Sequence, residues 1–421
     1  GLITPSLDEM VHVAKEMEIM GMDIPLLIGG ATTSKVHTAV KIDENYSKGQ
    51  TVYVLDASRS VTVVGSLLGS DKSNFVGNIQ DEYAKVRENY GKKKEFKEYL
   101  SVEDARANKF NIDWKESDVY EPKIKGTKEF LSYDLSELRK YIDWTPFFHT
   151  WELKGRYPQI LEHEAMGAEA TRLYTDAQEM LDQIIEEKWI EARGIIGIWA
   201  ANSVGDDIEI YANGDRKTVL HTQYGLRQQL KKSAKASNVC VSDFVAPKES
   251  GLEDYVGGFV VTAGIGIEKK LAEFEADHDD YKGIMLKALA DRLAEAFAER
   301  MHERVRQEFW GYESTEYSND DLIKEKYQGI RPAPGYPANP DHTEKPGLFK
   351  ILDATSITGV SLTESMAMLP AASVSGWYFA HPESHYFGVG KIKEDQVNRL
   401  AEAKGIPLDR MKQWLSANLE D

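Results

Sequence analysis

The chain has 421 residues, with 69 acidic and 51 basic side chains and a formal net charge of −18. This length suits two or three domains, and a hydrophobic fraction of 42% is enough for packed cores, which argues against a disordered protein. The acidic excess argues against a nucleic-acid binder, because the phosphate backbone would be repelled. Cys240 is the single cysteine, so an internal disulfide and a cysteine metal cluster are excluded and a reducing cytoplasm is the expected location. No apolar run approaches twenty residues, so we expect no membrane span.

The first 70 residues alternate between helical and strand patterns, which predicts a parallel α/β sheet. Small residues follow both strands, at 29–33 and 56–58, and ligands of open α/β sheets lie at such strand ends. Two strands are too few for a complete domain and the chain has no initiator methionine, so we expect a fragment of a longer protein. The predicted elements are a helix over 5–20, a strand over 24–28, a helix over 34–46, a strand over 51–55 and a helix over 60–68.

The remainder of the chain lacks this alternation and predicts an α+β architecture with an antiparallel sheet. A charged helix over 75–90 leads to a hinge beginning at Gly91, and Asn213-Gly214 predicts a hairpin turn. Gly264-Ile265-Gly266 is too short for a dinucleotide fingerprint and predicts a turn. The other predicted elements are helices over 165–192 and 281–310, strands over 194–201, 207–211, 259–262 and 373–379, and two short helices within 397–415.

Residues 331–338 form a stiff strip of sequence RPAPGYPA. Its three prolines lack backbone donors and hold the chain extended, while Gly335 permits a sharp reversal. Arg331 adds a permanent cation with a planar fork of donors, which suits a ligand carboxylate. A proline-rich surface loop with a solvated arginine is the alternative interpretation.

Asp143 stands beside the aromatic residues of segment 143–148, DWTPFF, and a second aromatic group includes Tyr386 and Phe387. A carboxylate there suits a ligand ammonium, with rings to support a cation, although a helix cap beside a hydrophobic anchor explains the segment equally well. Asp143, Arg331 and Tyr386 together offer what an amino-acid zwitterion carrying a sulfonium requires. The ten histidines form no zinc pair, and no nucleophile elbow or phosphate loop is present.

Four long strings carry a family resemblance, at 28–34, 143–148, 331–338 and 371–379. With these strings, nearly the whole chain resembles the C-terminal part of cobalamin-dependent methionine synthase. The resemblance implies an α/β Rossmann-like partial cobalamin domain followed by an α+β activation domain with a mainly antiparallel sheet and long helices. The implied boundaries are 1–90 for the second half of the cobalamin domain, 91–96 for a hinge, and 97–421 for the activation domain that binds S-adenosylmethionine.

The resemblance also implies roles for individual residues in binding S-adenosylmethionine. Asp143 would bind the amino group and Arg331 the carboxylate, while the strip residues would line the cleft. An aromatic pair would lie near the transferred methyl group, and no acid–base catalyst is implied with certainty. The lining residues are Ala333, Gly335 and Tyr336, and the aromatic pair is Tyr386 and Phe387.

For cobalamin, the implied residues lie near the start of the chain. Thr4 would lie beside the dimethylbenzimidazole tail, Ser6 would belong to the relay that tunes the cobalt-binding histidine, and Gly29, Gly30 and Ala57 would line the nucleotide tail. The family's cobalt-ligating motif, Asp-x-His-x-x-Gly, is absent from the sequence, so we expect incomplete cobalamin binding and no metal ligand. The zinc site of the full-length enzyme would belong to an upstream domain.

The implied function is reductive reactivation within methionine biosynthesis. S-adenosylmethionine would give its methyl group to reduced cobalamin, a flavodoxin-type reductase would supply the electron, and the whole cytoplasmic methyltransferase would convert homocysteine to methionine. The partners are then the reductase and the rest of the synthase chain, without nucleic acid or membrane. Two alternatives stay open: a stand-alone small-molecule methyltransferase and a non-catalytic docking module that binds S-adenosylmethionine.

Overall fold

The computed structural model describes residues 6–30, 33–55, 57–70, 72–95, 97–233 and 236–420. By its internal contacts the chain forms two compact units, the first made of Gly1–Lys109, Arg227–Asn238 and Val389–Asp421, and the second of Phe110–Leu226 and Val239–Gly388. None of the helices in the described ranges is long and apolar enough to cross a membrane.

The helices are numbered in chain order. They are α1 (Ser6–Ile19), α2 (Lys35–His37), α3 (Ala57–Leu68), α4 (Lys72–Glu95), α5 (Val102–Ala107), α6 (Leu135–Leu138), α7 (Trp144–Thr150), α8 (Gly167–Glu187), α9 (Ile267–Ala276), α10 (Asp280–Arg304), α11 (Asn319–Ile323), α12 (Lys345–Leu352), α13 (Ala354–Thr358), α14 (Glu394–Lys404) and α15 (Leu408–Trp414).

The strands are short in the first unit and long in the second. They are β1 (Leu26–Ile28), β2 (Thr51–Tyr53), β3 (Gly126–Tyr133), β4 (Glu191–Val204), β5 (Asp207–Tyr211), β6 (Val219–Gln223), β7 (Tyr255–Ile265), β8 (Ser361–Leu362), β9 (Met368–Leu369) and β10 (Ser373–Tyr378).

The first unit contains the parallel pair β1–β2, with Leu27 opposite Val52. This confirms the parallel pairing that the alternation of strands and helices predicted. Tyr83 of α4 is buried, and its hydroxyl accepts a hydrogen bond from the backbone N–H of Tyr53 at 2.8 Å, which ties α4 to the end of β2. Helix α4 continues through residues 91–95, where the sequence predicted a hinge; residue 96 lies outside the described residues. The division into domains stays a prediction.

The second unit is built on an antiparallel sheet in the order β10-β7-β4-β5-β6, with β3 paired to β4. Strands β4 and β7 lie at its centre and are rich in valine, isoleucine and glycine, as expected of strands covered on both faces. Helix α10 packs its buried apolar residues against this sheet, with Leu289, Leu293 and Phe297 fully buried. The mainly antiparallel sheet and the long helices are therefore confirmed, and Gly266 makes the predicted turn between β7 and α9.

The proline strip is held along the end of β10. Ile330 pairs with Phe379, and the carbonyl of Pro332 accepts a hydrogen bond from the N–H of Trp377 at 3.0 Å. A proline lacks an N–H but keeps its carbonyl, so the strip can accept a hydrogen bond from the strand. The other side of the strip faces a cavity. The strip therefore lies against a rigid sheet rather than in a free surface loop.

Candidate functional site

Two cavities in the second unit share a wall made of Glu295, Glu325 and Arg331. The first, of about 260 Å³, is called the aspartate cavity; its other lining residues are Tyr141, Asp143, Pro146, Arg292, Ala296, Glu299, Asn319, Leu322 and Ile323. The second, of about 290 Å³, is called the proline cavity; its other lining residues are Phe259, Pro332, Ala333, Pro334, Tyr336, Pro337, Ala338, Lys345, Met368, Ser373, Val374, Ser375, Tyr386 and Phe387.

The guanidinium of Arg331 is fixed by three hydrogen bonds within the protein. Its Nη2 donates to Glu299 Oε2 at 2.7 Å, and its Nη1 donates to Tyr327 Oη at 2.6 Å and to His302 Nδ1 at 3.2 Å. A guanidinium has five N–H donors. Within the described ranges the N–H of Nε and the second N–H of Nη2 have no protein partner, so two donors are left for a ligand.

Arg331 is a largely buried, paired cation, which excludes the alternative of a solvated arginine in a surface loop. The side chain is 18% exposed and that of Glu299 is 11% exposed. Burial is the largest single influence and opposes the charge of Arg331. The combined attraction of Glu299, Tyr327, Tyr386 and Glu295 outweighs it, so the pKa of Arg331 is raised well above its ordinary value. His302 is fully buried beside it, and burial followed by the charges of Arg306 and Arg331 lowers the pKa of His302 well below its usual range. The histidine is therefore neutral and accepts the hydrogen bond from Arg331.

Two carboxyl groups flank Arg331 on the shared wall. Glu295 and Glu325 are each exposed to solvent, yet the concave wall crowds protein atoms around them. This partial desolvation is the main cause that raises the pKa of each carboxyl above its ordinary value. Because both carboxyl groups remain accessible to solvent, we take both as ionised at neutral pH. They then give the shared wall a negative charge.

Asp143 is a helix cap and also a lining residue of the aspartate cavity, while its contact with a ligand ammonium stays a prediction. It is the N-cap of α7, where its Oδ1 accepts a hydrogen bond from Thr145 N at 2.9 Å, and it also lines the aspartate cavity with Arg331. Its second carboxylate oxygen has no partner within the described residues. The neighbouring rings of Trp144, Phe147 and Phe148 are buried in the core and line neither cavity, so the prediction that they support a ligand cation is wrong.

The strip and the aromatic pair lie together at the proline cavity. Ala333, Tyr336, Tyr386 and Phe387 line it, and the hydroxyl of Tyr386 accepts a hydrogen bond from the backbone N–H of Arg331 at 3.0 Å. Gly335 does not border the cavity; it takes a left-handed backbone at φ +94° that reverses the chain.

The reversal at Gly335 leaves no room for a side chain. A Cβ at this position would lie 2.2 Å from Cε1 of His342, so the glycine is required by a close approach of backbone and ring as well as by its conformation. The strip therefore owes its shape to packing against His342 in addition to its prolines.

The structure gives little information on the residues predicted to bind cobalamin. Thr4 lies outside the described residues, as do the side chains of Ser6 and Ala57. Gly29 and Gly30 follow β1, and both are explained by the chain itself: a Cβ on Gly29 would lie 3.1 Å from the carbonyl oxygen of Val54, and Gly30 has φ +120°. The role of Gly29 and Gly30 in binding cobalamin stays a prediction.

Sequence reasoning missed several residues of the site. Glu295, Glu299 and Glu325 escaped notice among 69 acidic residues, Lys345 stood in no motif, and Ser375 lay in the string 371–379 without being given a role. The spacing of Glu295 and Glu299 by four residues in a helix was a sequence feature that places both on one face. Among the residues that the structure describes, no group of three or more histidine, cysteine, aspartate or glutamate side chains is placed to hold a metal ion.

Comparison with known proteins identifies the family. The sequence profile of the family described as vitamin B12 dependent methionine synthase, activation domain, matches residues 134–405. A solved structure described as the crystal structure of the MetH reactivation domain bound to AdoHcy (S-adenosylhomocysteine) has 51% sequence identity and a TM-score of 0.75, and the match covers 77% of this chain and 99% of that one. The chain belongs to the family of vitamin B12 dependent methionine synthase activation domains.

Proposed function

We propose that this chain binds S-adenosylmethionine across the aspartate and proline cavities and presents its methyl group to reduced cobalamin. The observation that carries the proposal is the meeting of Asp143 and Arg331 at one cavity, with two donors of Arg331 left for a ligand. The related domain bound to AdoHcy supports this ligand, because AdoHcy is S-adenosylmethionine without the transferred methyl group.

The amino-acid end of the ligand belongs in the aspartate cavity. Its carboxylate accepts hydrogen bonds from the open donors of Arg331, and its ammonium donates to the unpartnered oxygen of Asp143. Hydrogen bonds between charged groups contribute about 1.5–3 kcal/mol each when they are well formed. The ion pair with Glu299 orients the guanidinium before the ligand binds. This reduces the conformational entropy that the side chain loses on binding.

The sulfonium belongs at the shared wall, between the zwitterion and the nucleoside. There the carboxylates of Glu295 and Glu325 face a cation that the demethylated product lacks, so they favour S-adenosylmethionine over S-adenosylhomocysteine. Ala333, Tyr336, Tyr386 and Phe387 would line the adenosyl portion, with Tyr386 and Phe387 near the methyl group.

The chemistry requires placement rather than acid–base catalysis. The bond between the sulfonium sulfur and the methyl carbon breaks, sulfur keeps the electron pair, and neutral S-adenosylhomocysteine is left. Reduced cobalamin supplies the nucleophile that accepts the methyl group. The chain contributes by holding the methyl carbon in line for attack, and such positioning accounts for a large part of the rate enhancement of group transfers.

We assign the cobalamin contacts to the first part of the chain. Residues 1–90 would form the second half of a Rossmann-like cobalamin domain joined through a hinge at 91–96 to the activation domain at 97–421. The parallel pair β1–β2 supports this assignment. The cobalamin contacts would be Thr4, Ser6, Gly29, Gly30 and Ala57. A flavodoxin-type reductase would supply the electron, and the whole synthase would methylate homocysteine.

Calorimetric titration with S-adenosylmethionine and S-adenosylhomocysteine tests the binding step. Wild-type protein is expected to bind both, and Arg331→Ala is expected to weaken binding about 100-fold, which corresponds to the loss of about 2.7 kcal/mol. Equal affinity of wild type and Arg331→Ala, with the variant folded, would overturn the proposal.

Methyl transfer is tested separately with labelled S-adenosylmethionine and added cob(I)alamin. Transfer of label to cobalamin is expected. Binding without transfer would favour the docking module, and transfer to a small-molecule acceptor in the absence of cobalamin would favour a stand-alone methyltransferase.

A further inference from the structure

We propose that Lys345 and Ser375 form a polar subsite in the proline cavity that recognises the nucleoside of the ligand through its hydrogen-bond acceptors. The inference rests on the proposed function. It assigns to Lys345 and Ser375 the nucleoside, the part of the ligand that Asp143 and Arg331 do not bind. Lys345 and Ser375 line the proline cavity and do not border the aspartate cavity.

Lys345 is 7% exposed and lies at the start of α12. Its Nζ donates to the carbonyl oxygen of Met366 at 2.8 Å and lies 3.2 Å from Nδ1 of His342. Within the described residues Lys345 forms no ion pair with a carboxylate, and burial alone perturbs its pKa. The ammonium group has three N–H donors, so one is left after these two contacts.

The position of Lys345 is fixed from two sides. The ring of His342 packs against the reversal at Gly335, and the Met366 carbonyl belongs to the turn before β9. Burial lowers the pKa of Lys345 to about 8, and burial together with the charge of Lys345 lowers that of His342 to about 4. A donor buried without a counter-ion costs folding free energy, and such residues concentrate at binding sites.

Ser375 offers the second, independent observation. It lies on β10, is 2% exposed, and its Oγ has no hydrogen-bond partner in the part of the chain that the structure describes. The hydroxyl of Ser373, two residues earlier on the same strand, donates to the carbonyl oxygen of Pro370 at 2.7 Å. A buried hydroxyl that lines a cavity without a protein partner is typical of a group that bonds a ligand.

The nucleoside is the part of the ligand that fits these donors. It carries no charge and offers ring nitrogens and ribose oxygens as acceptors, while the zwitterion and the sulfonium are matched by groups of the aspartate cavity and the shared wall. An N–H and an O–H donor at the proline cavity complement such acceptors.

The test measures the dissociation constant of S-adenosylhomocysteine for Lys345→Met and Ser375→Ala. Each is expected to bind at least 10-fold more weakly than wild type. The matched control is Lys350→Met, which removes an exposed lysine from the same helix and is expected to stay within twofold of wild type. Thermal unfolding establishes that each variant is folded, and Ser375→Ala is expected to keep its stability because it removes no internal hydrogen bond.

Analogues of S-adenosylhomocysteine distinguish base from ribose. The 1-, 3- and 7-deaza compounds each remove one ring nitrogen, and the 2′- and 3′-deoxy compounds each remove one hydroxyl. At least one is expected to bind wild type more weakly and to lose this penalty in Lys345→Met or Ser375→Ala. Should Lys345→Met not fold, Ser375→Ala and the analogue series on wild type decide the outcome.

The outcomes separate the two proposals. Absence of any S-adenosylhomocysteine binding by wild type refutes the proposed function itself. Normal binding by wild type with unchanged affinity in both folded variants, or an analogue penalty that persists unaltered in them, overturns the subsite and leaves the proposed function standing.

Discussion

Glu299 Oε2 lies 2.7 Å from Nη2 of Arg331, and its other carboxylate oxygen lies 4.0 Å from Nη1 of Arg306. One carboxylate therefore stands between two buried guanidinium groups. Arg306 is fully buried. Its Nε lies 3.1 Å from Oε2 of Glu313, and its Cζ lies 4.0 Å from the ring centre of Tyr327. Arg331, which lines both cavities, is thus the outer member of a buried charge network.

Glu299→Gln is expected to destabilise the protein, because it leaves two buried guanidinium groups with one carboxylate fewer while keeping the side chain's shape. Breaking a buried ion pair costs about 3–5 kcal/mol. Urea unfolding measures the loss. The control is Glu308→Gln, which breaks the more exposed pair with Arg304 and is expected to cost less than about 1 kcal/mol. Equal losses would show that the Glu299 pair is energetically a surface pair.

Asp143→Asn is expected to weaken S-adenosylhomocysteine binding about 10-fold or more and to change stability little. The amide oxygen can still accept the N-cap hydrogen bond from Thr145, whereas the charge that attracts the ammonium is lost. Asp134 caps α6 in the same way, with Ser136 N at 2.8 Å, and does not line either cavity. Asp134→Asn is therefore the matched control, and a loss of affinity shared by both variants would assign the effect to capping.

Glu295→Gln and Glu325→Gln are each expected to reduce the preference for S-adenosylmethionine over S-adenosylhomocysteine about 3- to 10-fold. The two ligands differ in the sulfonium charge, so the ratio of their dissociation constants isolates the interaction of that charge with the wall. Calorimetry at low ionic strength gives the ratio, and added salt is expected to shrink it. A ratio that both variants leave unchanged would place the sulfonium away from this wall.

Stability is expected to depend on pH through His342, whose pKa burial and Lys345 lower to about 4. The unfolded chain takes up this proton near pH 6.5, so the contribution is present above pH 6.5 and is lost as the pH falls toward 4. Between pH 6.5 and 5 one such group changes the free energy of unfolding by at most about 2 kcal/mol. The free-energy difference between wild type and His342→Gln is therefore expected to shrink at pH 5 relative to pH 7.5. Asp254, whose pKa burial raises to about 7, acts in the opposite direction but equally in both proteins, so a constant difference would contradict the assignment to His342.

The strip at 331–338 illustrates how far local sequence reaches. Proline stiffness and the freedom of glycine are properties of single residues, so the extended course and the reversal at Gly335 were predictable. The burial of Arg331 was not, because it depends on Glu299 and His302 of α10, about 30 residues away in sequence. Asp143 shows the same limit, since the sequence left cap and ligand contact open and the fold supplies the cap and places the residue at the cavity.

The sequence by itself determined the parallel pairing in the first unit, the antiparallel sheet and long helices of the second, and the residues that carry the family resemblance, because periodicity and turn chemistry act over a few neighbouring positions. Only the tertiary structure decided which donors and charges are already paired. Glu299 accepts a hydrogen bond from one of the N–H donors of Arg331, and the rings beside Asp143 pack in the core. Lys345 from a helix and Ser375 from a strand line the same cavity. Hydrogen bonds and ion pairs form wherever folding brings groups within about 3 Å, whatever their separation in sequence.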